Sequence, residues 1–449
     1  MDRREFLKIS GTAAVGAGIA ACKPKNQASV AVQTEPEGPE EMPLRECAGD
    51  QVSILGYGCM RWPMIKDANG RDIIDQEKVD ELVDYAMAHG VNYYDTSPVY
   101  LQGQSEAATA KALSRYPRDS YYLATKASNF SDSSFENSVK MYKRSLEIFQ
   151  TDHIDYYLLH SISGMDAFKA RFEDTGLLEY LLKEREAGHI RRLGFSFHGP
   201  NSGLADLLTL HDKYHWDFIQ IQMNYVDWNH AEGRNENASE MYQWLDEKQI
   251  PIVIMEPLLG GQLADVPDAI EEKFKERTPS KSVASWAFRF CGTYPRILTV
   301  LSGMTYMENL KDNLDTYLHF KPLTEEELSF LDEQAAVIRS FPLVKCTGCQ
   351  YCMPCPYGID IPGIFRHYNK CINEGLAPNV KEPESQADFK KLRRKYITSY
   401  NEAIATVRQA DHCIHCGQCM SHCPQRIKIP VELQRIDKYI ESLKQETIL

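Results

Sequence analysis

The chain has no apolar run long enough to span a bilayer comfortably, no surplus of basic residues, no flavin motif and no glycine-rich dinucleotide loop behind its first predicted strand. Each absence narrows the field. Without about 20 consecutive apolar residues, a standard transmembrane helix is not expected. With 50 Lys and Arg against 63 Asp and Glu, a formal net charge of −13, a nucleic-acid backbone is not the expected partner. A small anion in a local basic pocket remains compatible with that balance. The first predicted strand leads into "LGYGCMRW", so an open doubly wound nucleotide-binding sheet is the weaker of two fold readings. What is present is 449 residues, 43% hydrophobic and 25% charged, enough for a large core and more than one domain. There are also 13 cysteines, eight of them crowded into two runs near the C-terminus.

The first 22 residues stand apart. "MDRREFLKISGTAAVGAGIAAC" pairs Arg3 with Arg4, continues with Phe6, Leu7 and Lys8, and runs through small apolar residues to Cys22. This reads as an export signal of the twin-arginine type, a route taken by proteins already folded around their cofactors. "IAAC" resembles a bacterial lipobox and makes Cys22 a candidate lipidation site; a plain cleaved signal or a frayed terminus are the simpler readings. The expected location is therefore periplasmic or membrane-anchored, with the signal or a lipid as the sole membrane contact. Residues 23–50, rich in Pro, Glu and Gly, read as a flexible linker without a core of its own.

From residue 51 to about 335, short β-branched or aromatic runs alternate with amphipathic stretches. "QEKVDELVDYAMAHG" places Val79, Leu82, Val83, Ala86 and Met87 on one helical face, and Gly90 ends it. Eight such strand–helix units predict an α/β fold, a (β/α)8 barrel over 51–335. A barrel gathers functional side chains at the C-terminal ends of its strands. Asp95 ends "VNYYD", Tyr100 follows five residues later, Lys126 ends "YLATK" and His160 ends "YYLLH". The four make coherent chemistry. An ammonium beside a phenol lowers the phenol's pKa, a carboxylate holds the ammonium in place, and an imidazole orients a carbonyl oxygen or shares its proton.

"DTSPVY", "ATK" and "LLHS" resemble the tetrad segments of the aldo-keto reductase superfamily, over roughly residues 51–335. The resemblance implies Tyr100 as general acid, Lys126 and Asp95 as the pair that tunes it, and His160 as the group that positions a substrate carbonyl. It also implies a nicotinamide cofactor across the barrel mouth. Ser196 in "GFSFHG" and Gln220 in "IQIQMNY" match the residues that hold the carboxamide. Met255 stands where an aromatic residue usually stacks on the ring, and Asn313 in "LSGMTYMENLKDNL" is kept. Phe197 replaces a typical Asn, while Ser302 and Asn309 replace the Lys and Arg that clamp a 2′-phosphate. NAD(H) is therefore expected ahead of NADP(H), and the pattern is also compatible with a barrel that binds nicotinamide poorly or not at all.

Cys413, Cys416, Cys419 and Cys423 have the C-x2-C-x2-C-x3-C-P spacing of bacterial ferredoxins. Cys346, Cys349, Cys352 and Cys355, before Pro356, form a run one residue tighter at its last gap. Three cysteines in succession at two-residue gaps suit an iron–sulfur cubane. Zinc prefers separated pairs, and cysteines this close are poorly placed to bridge each other. Residues 336–449 are thus expected to be a ferredoxin-type domain with two 4Fe–4S clusters, and the helical pattern between the runs resembles the α-helical ferredoxin type. By that resemblance Cys423 joins Cys346, Cys349 and Cys352 on one cluster, and Cys355 joins Cys413, Cys416 and Cys419 on the other. "KKLRRK" reads as a solvated helix face, with a docking site for an acidic redox partner as a minor alternative. Cys47, Cys59, Cys291 and Cys371 read as ordinary thiols.

Together these readings describe an exported iron–sulfur oxidoreductase that acts on a small carbonyl or alcohol and exchanges electrons with an external redox partner. Two alternatives stay open: a catalytically silent barrel serving as scaffold for an electron-transfer or redox-sensing module, and purely structural clusters on an ordinary reductase.

Overall fold

The computed structural model describes residues 41–231, 236–380 and 385–445. Residues 1–22, where an export signal and a lipidated Cys22 are expected, and residues 23–40 of the expected linker lie outside the described residues. Twelve strands are present among those described. β1 (Leu44–Cys47) and β2 (Asp50–Ser53) form an antiparallel hairpin. β3 (Leu55–Gly58) enters the main sheet, and β4 (Met64–Lys66) and β5 (Asp72–Ile74) form a second small hairpin in the loop behind it. Then come β6 (Tyr93–Asp95), β7 (Tyr122–Ala127), β8 (Ile154–Ile162), β9 (Ile190–Phe197), β10 (Phe218–Gln222), β11 (Ile252–Met255) and β12 (Ile297–Ser302). β3 and β6 to β12 close into an eight-stranded parallel barrel in chain order. This is the expected (β/α)8 architecture.

The strands read as near-continuous apolar runs because both faces are covered. Every residue of β8 except Ser161 is buried. Each intervening helix turns one face to the sheet. Gln76–Ala88 buries Val79, Leu82, Val83 and Ala86, starts on Asp75, whose side chain accepts from the Lys78 N–H, and is closed by Gly90 at φ +82°.

The boundary at residue 50 is corrected by the β1–β2 hairpin, which closes the barrel floor. Arg45 donates to the carbonyls of Gly292 (2.7 Å), Pro295 (3.0 Å) and Tyr294 (3.3 Å), just ahead of β12. Cys47 and Val52 pack with Tyr93, Tyr156, Phe218 and Leu298 inside the barrel. Four-residue strands joined at Ala48 and Gly49, both at positive φ, are too short to show a period in sequence. The expected boundary near 335 also moves. The helix Glu325–Ser340 opens on a Thr324/Glu327 capping box, and its Phe330, Leu331 and Ile338 belong to the barrel's outer core.

Beyond residue 340, three helices, Ile361–Asn373, Gln386–Ala403 and Ile429–Lys444, carry a second core around Phe365, Tyr396, Tyr400 and Ile436. The first cysteine run lies in a loop at its edge, and the second in a loop that includes the short helix Gln418–Ser421, on which Cys419 sits.

Candidate active site and its cysteine-rich cap

Asp95 and Lys126 lie at or near the ends of the neighbouring strands β6 and β7, and the register carries both into the barrel mouth. Lys126 Nζ donates to Asp95 Oδ1 at 2.5 Å and to the Thr96 carbonyl at 2.7 Å. It also lies 4.9 Å from the centre of the Tyr100 ring. The Tyr100 and His160 rings meet edge-on at 5.9 Å. All four side chains are buried, so residues 95, 100, 126 and 160 do form one constellation.

Sequence reasoning missed what orients His160. Its Nδ1 sits 2.6 Å from Ser128 Oγ, which also meets Ser97 Oγ at 2.8 Å. Arg171 Nη1 donates to the His160 carbonyl at 2.8 Å. Phe130 lies 5.0 Å from the imidazole and is 48% exposed. Ser128 and Phe130 lie two and four residues after the "ATK" segment, so a hydroxyl and an aromatic ring just past a strand end were the available signal.

The electrostatics correct one expectation. The sequence predicts a Tyr100 acidified by Lys126; instead burial, then Tyr351 and Asp95, raise its pKa well above 10. Burial outweighs the ammonium, and the hydroxyl stays protonated. Burial also pulls Lys126 down and pushes Asp95 up, each opposed by the attraction of the other. His160 is driven well below 6.5 by burial and then by Lys126, which makes it a neutral imidazole at physiological pH.

The residues matched to nicotinamide binding fall into two groups. Ser196 and Gln220 are paired across β9 and β10. The Ser196 hydroxyl accepts the Ser161 N–H at 2.7 Å, and Gln220 hydrogen-bonds toward Asp95. Met255, at the end of β11, is half-buried. Asn313 lies apart on the helix Met307–Leu318 and donates to Ser302 Oγ at 2.9 Å. Between the groups runs the rim formed by the loops after β11 and β12, and the cysteine-rich domain sits on it. Arg61 Nη2 donates to the Thr347 carbonyl at 2.5 Å, and Gln262 Nε2 to the Cys346 carbonyl at 3.1 Å. Gly260, at φ +70°, packs so tightly that a Cβ there would lie 2.2 Å from Thr347 Cα. Gln425 Nε2 bonds Gln222 Oε1 at 3.2 Å, and Asn373 Nδ2 reaches the Asp265 carbonyl at 2.5 Å. Two side chains not singled out in the sequence belong to this seam. Glu256, at φ +56°, is pushed up by burial and faces Arg61. Tyr351, between Cys349 and Cys352, bears on Tyr100, Glu256 and Asp95 while remaining 37% exposed. As they stand, the nicotinamide-matched residues do not fit a dinucleotide, because the rim joining them is covered.

The eight cysteines separate into two sets. Cys346, Cys349, Cys352 and Cys423 line one hollow with Phe365 and Gln425. Cys355, Cys413, Cys416 and Cys419 line the next, further from the barrel. The charges of Cys346, Cys349 and Cys423 act on Cys352, and those of Cys413, Cys416 and Cys355 on Cys419. Burial pushes the Cys349 and Cys352 thiols up to about 12 and Cys419 to about 11, and a cationic metal beside these three would favour their thiolates. Among the described residues no three His, Cys, Asp or Glu gather as for a single metal ion. Four sulfurs around a hollow fit a polynuclear cluster better than zinc. Cys371 belongs to neither set; it lies 3.6 Å from His367 in the helical core.

A closed parallel barrel with a Lys–Asp–Tyr–His constellation at its C-terminal mouth, joined to a four-plus-four cysteine domain, defines a barrel oxidoreductase with an iron–sulfur module. Residues 55–336 match the aldo/keto reductase family, and the chain belongs to it. Residues 345–427 match the 4Fe-4S dicluster domain. The chain is 26% identical over 310 residues to the uncharacterized oxidoreductase YqkF of Bacillus subtilis, covering 62% of this chain and 92% of that protein. It is 27% identical over 216 residues to the methylglyoxal reductase YeaE of Escherichia coli, covering 47% and 66%. Among solved structures, an aldo-keto reductase of Bacillus halodurans shares the fold at a TM-score of 0.52 and 23% identity, over 65% of this chain and 96% of that one. A Klebsiella pneumoniae aldo/keto reductase in complex with NADP and acetate does so at 0.52 and 20%, over 66% and 95%.

Proposed function

We propose that the protein is an exported iron–sulfur oxidoreductase that interconverts a small carbonyl compound and its alcohol, with electrons passing to or from an external redox partner through two 4Fe–4S clusters. The observation that carries this reading is the seat of the first cysteine run on the barrel mouth: Gln262 of the barrel bonds the Cys346 carbonyl at 3.1 Å and Arg61 the Thr347 carbonyl at 2.5 Å, so a cluster-binding loop borders the site that holds Tyr100. Cys346, Cys349, Cys352 and Cys423 would hold the cluster nearer the barrel, and Cys355, Cys413, Cys416 and Cys419 the outer one. Such clusters, when bound, would supply or accept electrons singly, so two of them together would hold the electron pair that a carbonyl takes up with two protons in becoming an alcohol, one proton reaching oxygen from Tyr100 and the other reaching carbon from solvent.

The chain's own residues handle the proton and the geometry. Tyr100, kept protonated by burial, gives its proton to the carbonyl oxygen. Lys126, fixed by Asp95, lies against the Tyr100 ring and favours the phenolate that proton donation leaves. His160, neutral and tied through Nδ1 to Ser128, offers Nε2 to the same oxygen. The ring of Phe130 beside His160 suits a small substrate with an apolar face, and the likeness to a methylglyoxal reductase supports a small carbonyl compound. Arg3–Arg4 and the lipobox-like segment at Cys22 support twin-arginine export and a lipid anchor.

The test is single-turnover reoxidation. Cluster-loaded protein is reduced anaerobically with dithionite and mixed with a panel of aldehydes, ketones and dicarbonyls, and the clusters are followed by electron paramagnetic resonance. Turnover in the wild type that drops about 10²–10³-fold in Tyr100→Phe, with cluster reduction unchanged, is the expected result. If no carbonyl compound reoxidises the clusters, the enzyme reading fails and the scaffold reading replaces it. The covered rim and the exchanged residues Phe197 and Met255 favour that second reading.

A further inference from the structure

We propose that the segment Cys346–Cys352 is a permanent occupant of the barrel's dinucleotide track, so that this barrel takes neither NAD(H) nor NADP(H) and the cysteine loop stands where the cofactor would. The inference rests on reading Ser196 and Gln220 as one end of that track and Ser302 and Asn313 as the other, and it does not depend on which substrate is reduced.

A dinucleotide joining those ends has to cross the rim made by the loops after β11 and β12. Three independent features close that rim. Thr347 is seated on Gly260 so closely that not even a methyl group fits between them. A glycine at φ +70° is what lets the two backbones meet. Arg61 crosses from the loop after β3, lies against Gly303 at the start of the loop after β12, and spends its guanidinium on the Thr347 carbonyl. The Arg61 guanidinium, a group that a pyrophosphate would seek, is therefore already engaged. Gln262, also in the loop after β11, bonds the Cys346 carbonyl.

The end groups point the same way. Asn313 and Ser302 are buried and bonded to each other, and the Ser196 hydroxyl is bonded to the Ser161 N–H. Gly260 and Arg61 belong to the barrel and Thr347 to the cysteine domain, so both partners are shaped for this contact and not for an intervening ligand.

The experiment is equilibrium dialysis of full-length, cluster-loaded protein against radiolabelled NADPH and NADH. It is run on the wild type, on the double variant Arg61→Ala/Gln262→Ala, and on Gly260→Val, which pushes the loop away sterically. All eight cysteines are kept, and loading is checked by visible absorption. No saturable binding by the wild type up to about 1 mM, with binding appearing in either variant at about 0.1 mM, is the expected result. Saturable binding of either nucleotide by the wild type overturns the proposal. Binding by none of the three proteins overturns the loop's part in it, since the exchanged contacts alone would then account for the loss. Dithionite reduction of the same samples reads the clusters separately, so a failure here is distinguishable from a failure of the electron-transfer reading.

Discussion

At the scale of single residues, the decisive effect is burial. It keeps Tyr100 protonated and His160 neutral, against the simpler expectation that a nearby lysine sets the phenol's acidity. Which residue types meet at the mouth was legible, because strand ends in a barrel converge. Their ionisation was not, because desolvation depends on what covers them. Lys126→Met should cost about 3–5 kcal/mol, since it leaves Asp95 buried beside no cation. The double variant Asp95→Asn/Lys126→Met should recover part of that loss, and urea midpoints decide it. Acid lability follows from the histidines. His367, pushed down to about 4 by burial, and His160, also lowered, take up protons more readily unfolded than folded. Their contribution is complete above the ordinary histidine pKa of about 6.5 and is lost as the pH falls below it, toward about 4 for His367. The melting temperature should therefore drop between pH 7 and pH 5, and the drop should be smaller in His367→Gln.

At the scale of elements, period and spacing gave the eight barrel strands and both cysteine loops, while the β1–β2 hairpin and the helix spanning residue 335 escaped. The hairpin is too short for a period to show. The helix was cut by a boundary drawn from strand counting, although its capping box was present in the sequence at Thr324 and Glu327. The crossed grouping of cysteines was implied by likeness to two-cluster ferredoxins, and the folded loops bring Cys423 to the first run and Cys355 to the second. Cys423→Ala and Cys355→Ala should each remove about half of the iron. The two losses should differ in kind. The first should disturb the cluster beside the barrel and with it Tyr351, while the second should leave the seam intact. Iron analysis with limited proteolysis of the 341–350 segment tests both.

At the scale of the whole molecule, two domains that sequence shows only in succession are joined face to face over the barrel mouth. No local pattern announces this; Gly260 and Thr347 are far apart in the chain and unremarkable alone. Gly260→Ala should cost about 1–3 kcal/mol through overpacking at the seam. It should show as faster cleavage near residue 341 with iron content unchanged. The β1–β2 hairpin has a consequence of another sort. It bolts the start of the described chain to the floor of the barrel through Arg45, at the pole opposite the cysteine domain. Fixing the protein by its N-terminal side, to a bead or an electrode, presents the outer cysteine set to the solution and the barrel floor to the support. The wiring of such a device would then depend on a soluble mediator and not on contact with the surface.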